Sequence, residues 1–257
     1  SLVMLFIVLY VCRHVPGDLY TVCKVLLGKW GARTVLAYFC GAFFGDCTLL
    51  LRQFAENTLL TALPYSEFAI VITAYAVIAG LLVYIGIEGI SRASYLLLPF
   101  VVVSLILVLV FLSPFYNMNR LSPYAGMGFS QCITSGLMLA GVNFGILLLP
   151  LLASSFQTVP TMAAGGLFGV GLNTALHSVS VLVYTAVFGV QMGQESVLPF
   201  FAMARTIYLN RYLQHLEAFF IILWVIIGTL TIAIDLFCGL YCLTRLGNLP
   251  ALRPLIP

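Results

Sequence analysis

Two aspartates stand where an apolar chain should least tolerate them. Asp46 sits in "GAFFGDCTLL" and Asp235 in "TIAIDLFCGL". Asp46 follows Arg33 by thirteen residues, about 20 Å along a helix, and Asp235 precedes Arg245 by ten, about 15 Å. Both depths are near the middle of a bilayer, where a charge costs roughly 2.5–3.5 kcal/mol and must face the bundle interior or water. The chemistry open to such a carboxyl is proton or ion coupling, or pairing with the amine of a substrate. The alternative is a neutral carboxyl hydrogen-bonded to a neighbouring helix. His177, midway along another apolar run, is a weaker signal of the same kind.

The second feature is the stretch Gly141-Val142-Asn143-Phe144-Gly145, inside the apolar run "QCITSGLMLAGVNFGILLLPLLA" and followed by Pro150. Two glycines cost about 1 kcal/mol each against alanine in a helix. Read as function, this is a discontinuous helix whose free N–H and C=O groups hold a small polar ligand, as in secondary transporters. Read as packing, Gly141 and Gly145 form a small-xxx-small pair for a close helix neighbour, a spacing repeated at Gly165 and Gly169. The sequence leaves both readings open.

Other chemistry is excluded. There is no Walker loop, HExxH or GxSxG motif, and His14, His177 and His215 are scattered, so neither a catalytic constellation nor a cofactor is expected. The seven cysteines contain no CxxC pair and lie in or beside apolar runs, which makes them small core residues, not disulfides or metal ligands. Glu88 and Arg92, at i,i+4, read as an interfacial ion pair.

The elements that must position these residues are membrane spans. Of 257 residues, 62% are hydrophobic and 7% charged, against about 25% charged in soluble domains, and mean hydropathy is +1.13. That excludes a water-soluble enzyme and a disordered chain. A net charge of +3, spread over loops, excludes a nucleic-acid partner. A span needs about 20 apolar residues. Runs near 1–13, 33–60, 68–86, 93–113, 131–153, 161–190 and 216–244 qualify, the first too short to cross alone. They form a single all-α integral membrane domain over 1–257. Runs 33–60 and 216–244 exceed the bilayer thickness and require tilt. The segment 191–213 is expected to carry a short amphipathic surface helix. The chain opens inside an apolar run without an initiator methionine and stops at "LRPLIP", so it reads as a fragment. Arg13, Lys24, Lys29, Arg33, Arg92, Arg245 and Arg253 fall on one side, and Arg52, Arg120, Arg205 and Arg211 on the other, which places the first set in the cytoplasm.

Several stretches together resemble the spore germination permeases, the multi-span B subunits of germinant receptors within the amino acid–polyamine–organocation transporter superfamily. They are "LLGKWG" (26–31), "LRQF" (51–54), "ALP" (62–64), "GIEGISRASYLLLP" (86–99), "LSPYAGMG" (121–128) and "HLEAFFIILWVIIG" (215–228), which run in family order. Members normally have ten spans, and this chain looks like the second to the eighth. Where the family often has F-G-E in its broken sixth helix, this chain has Phe144-Gly145-Ile146.

The resemblance implies a helical bundle of two inverted five-helix repeats, with the ligand between the first and sixth helices and the long third and eighth helices flanking it. It implies a site built from Gly141, Val142, Asn143, Phe144 and Gly145, with Phe43 and Cys47 on one flank and Trp224, Gly228 and Thr231 on the other. It implies a sensor of the spore inner membrane that binds an amino acid or similar germinant and signals to other receptor subunits. The rival is an amino-acid transporter in which Asp46 or Asp235 couples proton or ion movement.

Overall fold

The computed structural model describes residues 2–14, 17–122, 128, 130–131, 133–136, 144–156, 158–190, 192, 198–207, 216–247 and 249. Every regular element among them is helical. The α-helices are α1 (Leu2–His14), α2 (Leu19–Thr61), α3 (Phe68–Ile85), α4 (Ile87–Phe111), α5 (Leu148–Leu151), α6 (Val159–Phe188), α7 (Pro199–Thr206) and α8 (Leu216–Gly247). Short 3-10 turns occupy Ser113–Phe115, Met118–Leu121, Phe144–Leu147 and Ala153–Ser155. Five helices, α2, α3, α4, α6 and α8, are long and apolar enough to cross a bilayer.

The boundaries follow local chemistry. Helix α2 starts at Leu19, well before the expected 33, because residues 19–33 are helical despite Lys24, Lys29 and Arg33. Asp18 caps it: the Thr21 N–H and hydroxyl both donate to Asp18 Oδ1, at 3.2 and 2.6 Å. The break in this region is one residue, Gly28, at φ 74 and ψ 179, a conformation that only glycine adopts cheaply. Gly86, at φ 97, likewise ends α3, and α4 follows directly, ahead of the expected 93. Its first turns carry the anticipated pair, Arg92 to Glu88 at 2.6 Å, on the exposed surface. Beyond α4, burial pushes the Tyr116 phenol up from its ordinary value, and its hydroxyl donates to the Leu109 carbonyl. The expected amphipathic helix in 191–213 is α7, opened by Pro199 at its first position.

The chain divides into two compact units. The first comprises residues 1–36 and 117–186, hence α1, the start of α2, α5 and nearly all of α6. Here Gly166 lets α6 come close to its neighbours, since a Cβ would stand 3.0 Å from both Leu5 of α1 and Leu149 of α5. Gly165 and Gly169, the pair with packing spacing, meet no neighbour within 4 Å. The second unit comprises residues 37–116 and 187–257. In it α8 packs against α3, α4 and α7 and along the second part of α2. Half of α8's most apolar window is buried against 11% for α4, so α8 is the central helix and α4 turns its leucines and valines outward. In a bilayer that outward surface meets lipid, which is why so many apolar side chains are exposed without a protein neighbour.

Candidate functional site

The two long helices anticipated as flanks are packed face to face in the second unit. Cys40 Sγ lies 3.6 Å from the Gly239 carbonyl, and Cys47 Sγ lies 3.9 Å from that of Ile232. Seven residues forward on α2 match seven back on α8, so the helices run antiparallel. Further along, the Phe54 ring stands over Gly228 and 4.6 Å from the Trp224 ring. On α8 the stripe Gly228, Ile232, Asp235, Gly239 and Cys242 is buried throughout, at alternating spacings of four and three, the face that a helix turns to a close partner.

Each expected site residue has a definite place or lies outside the described residues. Phe43 is fully buried on α2. Cys47 is buried against α8. Gly228 is the point where α8 admits the Phe54 ring. Trp224 stacks on that ring and lines a hollow of about 40 Å³ with Thr61, Leu198, Pro199, Phe200, Phe201 and Ile221. Thr231 is exposed, its hydroxyl donating to the Ile227 carbonyl at 2.9 Å. Gly141, Val142 and Asn143 lie outside the described residues. Phe144–Leu147, which includes Gly145, forms a 3-10 turn instead of continuing as α-helix, and α5 after it is only four residues long and contains Pro150. A 3-10 turn bonds i to i+3, and proline brings no N–H, so the α-helical ladder is not maintained through this part of the apolar stretch.

Asp46 and Asp235, read separately from the sequence, belong to the same helix pair. Asp46 adjoins Cys47, and Asp235 stands between Ile232 and Gly239 on the stripe facing α2. Asp235 is 5% exposed, and its Oδ2 has no hydrogen-bond partner among the described residues. Asp46 is half-buried.

Phe54 is the residue whose position the sequence reading did not single out. It touches Trp224 of α8 and approaches Tyr75 of α3, whose hydroxyl shares a 2.8 Å hydrogen bond with Thr58. A periodic signal was available: Cys40, Phe43, Cys47, Phe54 and Thr58 recur at helical spacing on one face of α2. In the first unit, an open cleft of about 740 Å³ runs between α1 and α6, walled by Phe6, Ile7, Leu9, Tyr10, Val159, Pro160 and Ala163, with Arg13 its one charged residue.

Among the described residues no group of three or more His, Cys, Asp or Glu side chains could hold a metal ion. The model of one family, described as spore germination protein (spore permease), matches residues 1–247, nearly the whole chain. The chain belongs to the spore germination protein family. Membership, together with the five long apolar helices, makes it a multi-pass integral membrane protein connected with germination, in a family of permease-like proteins and not of enzymes. No curated protein and no solved structure matches the chain.

Proposed function

We propose that this spore germination protein is a germinant sensor of the spore inner membrane, which binds an amino acid or similar small molecule and passes the signal to partner subunits of a receptor. The observation that carries the reading is the 3-10 turn at Phe144–Leu147 beside Pro150, in an apolar stretch of a spore germination family member. Peptide groups released from an α-helical ladder inside lipid must find partners, and a zwitterionic guest supplies them: N–H groups for its carboxylate, C=O groups for its ammonium. In this reading Gly141, Val142, Asn143, Phe144 and Gly145 hold the polar end of the ligand. Signalling follows if the bound and free chains differ in conformation, since a ligand shifts a two-state equilibrium by its differential affinity.

The test separates sensing from transport. The purified chain in proteoliposomes should show saturable binding of a germinant amino acid with no accumulation of label inside. Accumulation that disappears in Asp46→Asn and Asp235→Asn would make the protein a coupled transporter and end the sensor reading.

A further inference from the structure

The α2–α8 contact encloses an acid that no described residue answers. Asp235 Oδ2 is buried and has no hydrogen-bond partner among the described residues, and a bare carboxylate oxygen in such a place loses its hydration without replacement. Its direction is fixed by the helix: Ile232, three residues before it, and Gly239, four after, both meet α2. Residues at those spacings share a face, so Asp235 points to α2 as well. The register fixes what it finds there. Cys40 lies opposite Gly239 and Cys47 opposite Ile232, so position 44 is level with Asp235, and Asp46 is displaced by two residues, about 3 Å along the axis.

Among the described residues no cation is paired with either aspartate. The nearest thiols along the two helices are Cys47, against Ile232, and the buried Cys238, three residues after Asp235. Helix α3 brings Tyr75, engaged with Thr58 beside Phe54, and Tyr84. On α4 the titratable groups are Tyr95 and the ion pair of Glu88 with Arg92, and on α7 Arg205, all of them exposed. Of the charged residues on α2, Asp46 is the one that the register brings nearest in height to Asp235. Two carboxylates at nearly the same height of one helix contact, in a medium of low dielectric, disfavour each other's ionisation unless a cation joins them.

We infer that Asp46 and Asp235 form a proton-binding pair inside the α2–α8 contact, with one proton resident on Asp235 at neutral pH and Asp46 carrying the charge. A proton is the cation that fits, because it removes the uncompensated charge of the buried carboxylate and needs no cavity of its own. The carboxyls are then coupled, as in dyads that share one proton. The inference concerns the second unit alone and does not rest on the germinant reading.

The test is infrared spectroscopy of the full chain in lipid nanodiscs with the aspartate carboxyl carbons isotopically labelled. Only Asp18, Asp46 and Asp235 then report. Asp18 accepts two hydrogen bonds from Thr21. One of the three carboxyls should be un-ionised at pH 7, and its signal should be lost in Asp235→Asn and kept in Asp46→Asn. An absence of un-ionised aspartate in the unaltered chain, or a signal that survives Asp235→Asn, overturns the inference. Should Asp235→Asn fail to fold, the unaltered chain and Asp46→Asn still decide, since the signal must appear in both. Thermal stability that climbs with sodium or potassium in the unaltered chain but not in Asp46→Asn would place a metal cation in the pair and equally overturn it.

Discussion

Gly228→Leu should lower the stability of the folded chain by about 2 kcal/mol, while Gly239→Ala leaves it nearly unchanged. Both glycines lie on the stripe of α8 that meets α2, so composition alone does not separate them. A Cβ at 228 would fall 2.3, 2.4 and 2.8 Å from three carbons of the Phe54 ring, closer than real side chains come. The ring has little freedom to retreat, with Trp224 at 4.6 Å and Tyr75 at 6.3 Å. Forcing extra carbon into such a place costs about 1–3 kcal/mol or more, and the better helix propensity of leucine returns only about 0.8. At 239 the nearest atoms of Phe44 are 3.3 Å away, so a methyl group needs a shift of tenths of an ångström, which the gain of up to about 1 kcal/mol from alanine offsets. Denaturant titration in mild detergent measures both. Phe54→Ala combined with Gly228→Leu should recover much of the loss, because residues in contact are not additive. Equal stabilities for the two glycine variants would mean that α2 and α8 do not meet at Phe54.

Gly141→Leu should abolish germinant binding while the chain still inserts and folds. Leucine favours helix over glycine by nearly 1 kcal/mol and adds a side chain next to the backbone, so if residues 141–145 hold the ligand as proposed, it opposes the backbone exposure that binding requires. Losing two hydrogen bonds to charged ligand groups, at about 1.5–3 kcal/mol each, weakens binding by more than about a hundredfold. A thermal-shift screen across the amino acids reads the result, with the melting point of the free chain as control for folding. Unchanged affinity would remove residues 141–145 from the site.

How much of this was legible in the sequence depended on the range of the interaction. Spans were readable because hydropathy is local: the runs near 68–86, 161–190 and 216–244 correspond closely to α3, α6 and α8. The start of α2 was not, because Lys24, Lys29 and Arg33 read as a basic loop, whereas straight-chain basic residues are good helix formers and can stay exposed on a helix. The depth of Asp46 and of Asp235 followed from counting residues, but their membership of one helix pair did not, since residues so distant in sequence meet through tertiary packing. Cys47 and Gly228, expected through family resemblance as flanks of a ligand site, are engaged in the α2–α8 contact, where Phe54 and the glycines decide how near the helices come. The change to 3-10 geometry at Phe144–Leu147 was foreshadowed by Gly141, Gly145 and Pro150, residues that weaken or cannot complete an α-helical ladder.

In the site proposed above, the peptide groups of the 3-10 turn at Phe144–Leu147 are taken up by a ligand within the membrane. Hydrogen–deuterium exchange of the chain in nanodiscs, with and without a saturating germinant amino acid, tests it directly. Peptides covering 141–147 should exchange much faster than those of α6 and α8, and the ligand should slow them selectively. Exchange as slow there as in α8, and unaltered by any ligand that binds, would contradict it.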